Sequence, residues 1–465
     1  MSNTVTEQEK RDVSDTEMNS SFNDDATVNG DAGARDGVSH SQSGSVSEKK
    51  GVAEEEVNVN AEQTIDPYDV PDGGLRAWLV VMGASFGTLA TFGFVNAWGV
   101  FQSYYEESVL PDTSPSTIAW IGSIQYSLIF IPGLIAGRLF DMGWFKLPLA
   151  AATAFLIAAT FLVAQCTEYW QFLLCQGFAV GLSCGMIFGP LMGIVAHWFK
   201  KKRGVALGVV AVGSSIGGTV FPIAARNLIV LVGFPWTMRI LGFILLVCLG
   251  VTNLTVARRF PPKKELGPFF DLSAFKYMPY TIWCMAGFVS FLGLYTVLTY
   301  IDISAVAKGI PSDFSFYLVS IANAASGVGR LCGGLAADRL GPINVIAPAT
   351  LVAAILTYAW PFAESKGAFI AIAIIYGMAS GVFVSLLNAP TMAMGNLHDV
   401  GVRVGMAMTI LALGALAGPP ISGAIEDATG GFKAVGYYAG SMVVLSVVLA
   451  ILTRQLALKR LWGKY

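Results

Sequence analysis

Charge is what this 465-residue sequence has least of: Asp, Glu, Lys and Arg make up 13%, about half the roughly 25% typical of soluble domains. The charge it does carry is divided unevenly. Residues 1–70 hold 5 Lys/Arg against 16 Asp/Glu and residues 71–465 hold 24 against 15, so the net −2 averages an acidic head with a basic remainder. Nearly 400 residues this poor in charge, in a chain 54% apolar, cannot solvate a globular surface. A soluble, secreted or nucleic-acid-binding chain is therefore excluded. Histidine is rarer still, with only His40, His197 and His398. The six cysteines (Cys166, Cys175, Cys184, Cys248, Cys284, Cys332) form no CxxC pair and lie in apolar stretches, which removes support for a disulfide framework or a zinc site. They read as packing residues. No GxxxxGK[ST] loop occurs, so no ATP-binding cradle is expected, and no cofactor is implied. No apolar leader precedes the first hydrophobic run near Leu75, and residues 1–70 read as a disordered acidic tail.

What the sequence has in abundance is apolar runs of the length that a 30 Å hydrocarbon layer requires. Twelve are found: 75–103, 117–139, 147–165, 170–196, 205–230, 237–257, 280–301, 315–336, 343–361, 367–389, 402–424 and 434–455. They do not alternate as barrel strands would, so the expected fold is all-α and polytopic. Basic residues set the orientation. Seventeen lie in the loops and C-terminus on the tail's side, against Lys308, Lys366 and Lys433 on the other, so both termini are expected in the cytoplasm. Arg226, Arg239 and Arg330 fall within spans, the first two near outer ends where they can snorkel.

The second half echoes the first. Gly177, Ala179, Gly181, Pro190 and Met192 recur 200 residues on as Gly377, Ala379, Gly381, Pro390 and Met392, and Gly137 and Asp141 recur as Gly334 and Asp338. At an offset of 201, Gly204, Ala206, Gly213 and Gly217 recur as Gly405, Ala407, Gly414 and Gly418. The expected organisation is two six-helix lobes, 71–258 and 280–458, joined by a cytoplasmic linker at 259–279, with 1–70 and 459–465 as cytoplasmic tails. The rows Gly204-x3-Gly208, Gly213-x3-Gly217 and Gly414-x3-Gly418 read as close helix contacts between the lobes.

Arg330 stands out because it lies eight residues, about 12 Å, before the turn at Asp338, and so near mid-bilayer. An ionised guanidinium there costs several kcal/mol unless it meets water or a partner. Its helix offers a polar stripe, Ser320, Asn323, Ser326 with Gly327, Arg330 and Gly334, at spacings of three and four, and such a stripe is expected to line a cavity. No Asp or Glu occupies the central third of any span, so the simplest counter-ion is a bound organic anion. Packing of Arg330 against carbonyls and hydroxyls of neighbouring helices is the alternative. Asn96, Gln125, Tyr126, Tyr295 and Asn388 complete the candidate substrate-binding set, although polar residues like these also serve as interhelical glue. His197, beside Trp198 and the KKKR run at 200–203, reads as interfacial.

GRLFD at 137–141 and GGLAADRLG at 333–341 resemble the turn motifs of the major facilitator superfamily. PDGGLRAW (71–78), HWFKKKRGVALG (197–208) and GVGRLCGGLAADRLG (327–341) resemble its monocarboxylate porter group, the fungal branch especially. The resemblance spans about residues 70–458 and implies transport by alternating access. Gly137 would let helix 2 approach a neighbour, Asp141 would sit at the N-terminus of helix 11 near Arg403, and Asp338 at the start of helix 5 near Arg203. With Gly334 these form a candidate conformational latch. Animal proton-coupled members carry an Asp one turn before the helix-8 Arg and a Lys in helix 1. Ser326 and Asn96 stand there, which leaves proton coupling open. The expected function is therefore secondary transport, not enzymatic, of a small anionic or weakly acidic monocarboxylate-like solute across the plasma membrane, with a vacuolar or other internal membrane as the alternative. Export of a larger secondary metabolite, riboflavin-type facilitation and non-transporting solute sensing are the competing readings.

Overall fold

In a computed structural model of the chain, the structure describes residues 70–261, 272–395, 399–459 and 463. The acidic tail up to residue 69, with His40, lies outside the described residues. So do His398 and the part of the linker that contains Lys263 and Lys264. Among the described residues there is helix and no strand, and all of them fall within one compact unit, Ile65–Tyr465.

Among the described residues, ten helical stretches are long and apolar enough to cross a bilayer: α1 (Leu75–Val109), α3 (Lys146–Val163), α4 (Tyr169–Trp198), α5 (Arg203–Val232), α6 (Phe234–Thr255), α7 (Met278–Ala307), α9 (Pro342–Phe362), α10 (Lys366–Ala393), α11 (Val400–Thr429) and α12 (Phe432–Leu458). The other two expected spans are present for identifiable reasons as weaker cases. α2 (115–141) is broken into Pro115–Ser127 and Gly133–Asp141, and α8 (Tyr317–Leu340) carries Arg330, Asp338 and Arg339 along its polar stripe. Turn chemistry ends the helices where the runs end. Gly341 stands at φ 95°, left-handed backbone that a side chain resists, and Pro342 then opens α9 at a position needing no N–H. Large apolar side chains such as Leu147, Val230, Leu231 and Val247 point outward. That arrangement is sensible only against lipid, and the protein is a multi-pass membrane protein.

Glycine decides which helices touch. Gly204 and Gly208 of α5 sit on the backbone of α8 at Gly334 and Arg330, so this row joins the two lobes as expected. The other two rows correct the expectation. Gly213 and Gly217 pack α5 on α1, against Ser85 and Gly93, and Gly414 and Gly418 pack α11 on α7, against Phe288 and Phe291, so both act inside a lobe. A second contact between lobes is α2 on α11, where Gly133 and Gly137 face Gly405 and Gly401.

The cysteines and the other peripheral charges also differ in part from expectation. Cys184, Cys248 and Cys284 are buried, but Cys332 is exposed on α8. His197, in the last turn of α4, is buried there: it lies between the rings of Phe140 and Phe260 and accepts from the Phe260 N–H at 3.4 Å. Arg239 lies over Trp236. Arg226 does not simply snorkel; it pairs with Asp313 at 2.8 Å and covers the Phe316 ring at 4.6 Å, joining the end of α5 to the start of α8. Because Asp313 is 92% exposed, Asp313→Asn is expected to lower thermal stability by no more than about 1 kcal/mol. The loss should disappear at high ionic strength, and thermal shifts at low and high salt check both points.

Candidate functional site

The candidate site is built where the helices are interrupted. α1 carries a π-turn at Leu89–Gly93 and a break at Asn96 and Ala97, and α7 breaks at Leu294 and Tyr295, its counterpart in the second lobe. Such breaks at mid-membrane expose backbone and re-aim side chains, as π-bulges do at functional sites generally. Between the breaks lies a cavity walled by Phe92 and Asn96 of α1, Tyr126 of α2, Leu294, Tyr295 and Leu298 of α7, Ala322, Asn323, Ser326 and Arg330 of α8, and Ser380 and Val384 of α10. Six of the eight candidate binding residues therefore meet around one space. Gln125 and Asn388 do not: both are buried outside the cavity wall. Phe92, one turn before Asn96, and Ser380, next to the repeated Gly381, are wall residues that the sequence reading passed over.

Arg330 is 7% exposed. Its Nη1 donates to the Ala211 carbonyl at 2.5 Å and to the Ser214 hydroxyl, both on α5, so the alternative reading of carbonyl and hydroxyl packing describes this conformation. The guanidinium is incompletely served by those bonds. Its Nε, the Tyr126 hydroxyl and, deeper in α2, the Gln125 Oε1 are buried without a well-aligned hydrogen bond. Each such group carries a desolvation cost of about 1–3 kcal/mol. Tyr126 and Tyr295 lie within electrostatic reach of Arg330, and their rings meet edge to face at 5.0 Å across the lobes. The rest of the stripe faces α5. Asn323 donates to the Gly218 carbonyl at 3.2 Å and Ser326 shares a hydrogen bond with Ser215 at 2.8 Å. Ser320 and Gly334 lie against α5 rather than in the cavity wall.

The cavity has a volume of about 20 Å³, room for roughly one water. The conformation is contracted around the centre, and it is closed toward the face that carries Asp141 and Asp338. Phe130 and Phe291 meet across the lobes at 5.4 Å between the cavity and that face. Beyond them Asp141 accepts from the N–H groups of Gly401 (3.1 Å) and Val402 (2.9 Å) at the start of α11. Asp338 accepts from those of Gly204 (2.6 Å) and Val205 (2.9 Å) at the start of α5. Helix N-termini present unpaired amides and positive dipole ends, so a carboxylate there is well placed. The arginines expected beside the carboxylates play different parts. Arg203 donates to the Phe199 carbonyl at 3.3 Å and lies within electrostatic reach of Asp338, whereas the charges near Asp141 are Asp399 and Arg258. The Arg403 guanidinium lies over Gly395, and its carbonyl accepts from Tyr280 at 2.8 Å.

A helical bundle whose sequence halves echo one another, with a polar cavity beside the breaks in α1 and α7 and carboxylate contacts closing one face, has the build of a solute carrier. Comparison with known proteins agrees: the profile described as Major Facilitator Superfamily matches residues 78–396, and the chain belongs to that superfamily of secondary transporters. It is 37% identical over 382 residues to the aspyridones efflux protein apdF of Emericella nidulans, covering 82% of this chain and 78% of that one. It is 35% identical over 380 residues to the agnestins efflux protein AgnL12 of Paecilomyces divaricatus, covering 82% and 87%. Among solved structures, the human organic anion transporter MFSD10 superposes with a TM-score of 0.63 at 16% identity, covering 80% of this chain and 98% of that one. The E. coli fucose:proton symporter FucP gives 0.61 at 16%, covering 81% and 98%. At such identities the structural likeness speaks for the fold.

Proposed function

We propose that this carrier exports an acidic secondary metabolite across the plasma membrane, holding its anionic group on Arg330 and exposing the site alternately to the two sides. The observation that carries this reading is the buried Arg330, in the wall of the central cavity with tyrosines and amides around it and no carboxylate among the wall residues. A planar guanidinium binds carboxylates and related oxyanions through paired hydrogen bonds. The efflux relatives favour a metabolite leaving the cell over nutrient uptake. In this reading the face bearing Asp141 and Asp338 is cytoplasmic, both termini are cytoplasmic, and the two carboxylate–helix contacts form a latch that holds that face closed while the site faces outward. The anion would draw Arg330 away from Ala211 and Ser214, loosening α8 from α5 and favouring the rearrangement.

A small monocarboxylate is the second reading, supported by the size of the cavity and by the resemblance of residues 71–78 and 327–341 to the monocarboxylate porters. Proteoliposomes loaded with a panel of small and large organic acids, each paired with its methyl ester and run with and without a pH gradient, separate the two. Export of acids larger than a monocarboxylate, with their esters refused, is the expected result. Equal passage of acid and ester would overturn the anion site, and binding that stops at one solute per chain would indicate a sensor.

A further inference from the structure

The segment Pro71–Gly74 that opens α1 has no part in the site described above, yet it is wired to the latch. Asp72 adopts a left-handed backbone, φ 50°, which is uncommon outside glycine but tolerated by Asp. In that pose one carboxylate oxygen, Oδ1, accepts from three successive backbone N–H groups: Lys200 at 2.6 Å, Lys201 at 2.5 Å and Lys202 at 3.3 Å. The Asp72 N–H in turn donates to the Trp198 carbonyl at 3.1 Å, closing the turn between α4 and α5 from both sides. One residue beyond these three amides, past Arg203, come Gly204 and Val205, whose N–H groups hold Asp338. Two carboxylates, one from the start of α1 and one from the end of α8, thus divide the amides that open α5, and Arg203 lies within electrostatic reach of both.

We propose that Asp72 is a positioning residue of the α5–α8 latch. It fixes the α4–α5 turn so that the Gly204 and Val205 amides stand ready for Asp338, and it stays bound within its own lobe while the Asp338 contact breaks and re-forms in each cycle. Preorganisation of this kind reduces the ordering cost of each closure. The inference rests on the latch reading given above. It also gives the PDGG segment a role in turnover rather than in solute recognition.

The test is a double-mutant cycle of Asp72→Ala and Asp338→Asn in the full-length carrier in proteoliposomes. Maximal transport rate, KM and deuterium uptake of residues 327–341, which belong to the other lobe, are measured for each form. Asp72→Ala is expected to lower the maximal rate about tenfold, as loss of charge-assisted hydrogen bonds would, to leave KM within about twofold, and to speed exchange in 327–341. In the Asp338→Asn background it should add little, because both variants act through one contact. Asp72→Asn, which keeps an acceptor oxygen without the charge, should fall between wild type and Asp72→Ala and guards against misfolding of the alanine form. Independent, additive losses with unchanged exchange in 327–341 would overturn the proposal and leave Asp72 a local anchor. No effect of Asp338→Asn alone would instead remove the latch itself.

Discussion

Arg330→Ala is expected to reduce transport of an acidic substrate by about 10- to 100-fold, while an uncharged ester that enters at all shows only the smaller, charge-independent change. The size follows from losing hydrogen bonds to a charged group, worth about 1.5–3 kcal/mol, at about 1.4 kcal/mol per tenfold. Arg330→Lys should recover only part of the loss, since an ammonium keeps the charge but lacks the planar fork. A secondary effect accompanies the first. Without the guanidinium, α8 no longer grips Ala211 and Ser214 on α5, so the contracted conformation weakens even in the empty carrier. Initial-rate transport with matched acid and ester substrates separates the binding loss from the conformational one, because only the binding loss depends on solute charge.

The second large effect is expected at the glycines of the proposed latch. A Cβ placed on Gly137 would run into the carbonyl of Gly401, and one placed on Gly204 would meet the Gly334 carbonyl and the Asp338 carboxylate. These are backbone and latch atoms that cannot step aside like a flexible side chain. Overpacking of this kind costs about 1–3 kcal/mol, and here the cost falls only on the conformation closed at this face. Gly137→Val and Gly204→Val should each lower the maximal transport rate by about 5- to 150-fold while solute binding from the face that carries Asp141 and Asp338 persists. Binding measured by substrate-induced thermal stabilisation, set beside flux in proteoliposomes, checks this. Loss of binding and flux together would show that the substitution had damaged the fold instead.

Much of the architecture was legible because the bilayer imposes a length on every span and forbids unpaired backbone. That constraint made even α8 recognisable, although its stripe leaves it less apolar than its neighbours. The carboxylate contacts of Asp141 and Asp338 were legible through the turn-motif resemblance and the internal repeat, and Arg330 because charge is so scarce that a cation in the middle of a span stands out. What periodicity cannot supply is the identity of the opposing helix. It gave α8 a polar face but not the fact that α5, through Ala211, Ser214, Ser215 and Gly218, abuts that face. For the same reason two of the glycine rows were read as joining lobes when they pack α5 on α1 and α11 on α7. Gln125 precedes Tyr126 by one residue, and a step of one residue rotates about 100° around a helix, so only one of the pair reaches the cavity. The three amides held by Asp72 leave no trace in residue type, since any sequence offers backbone N–H groups.

The central claim is that Arg330 exchanges its partners on α5 for the anionic group of the solute. A structure of the carrier trapped with a transported acid tests this most directly. The account predicts the guanidinium within about 3 Å of the solute's oxyanion, as charge-assisted hydrogen bonds require, with the contacts to Ala211 and Ser214 broken. A solute bound elsewhere, with Arg330 still donating to those two residues, would contradict it.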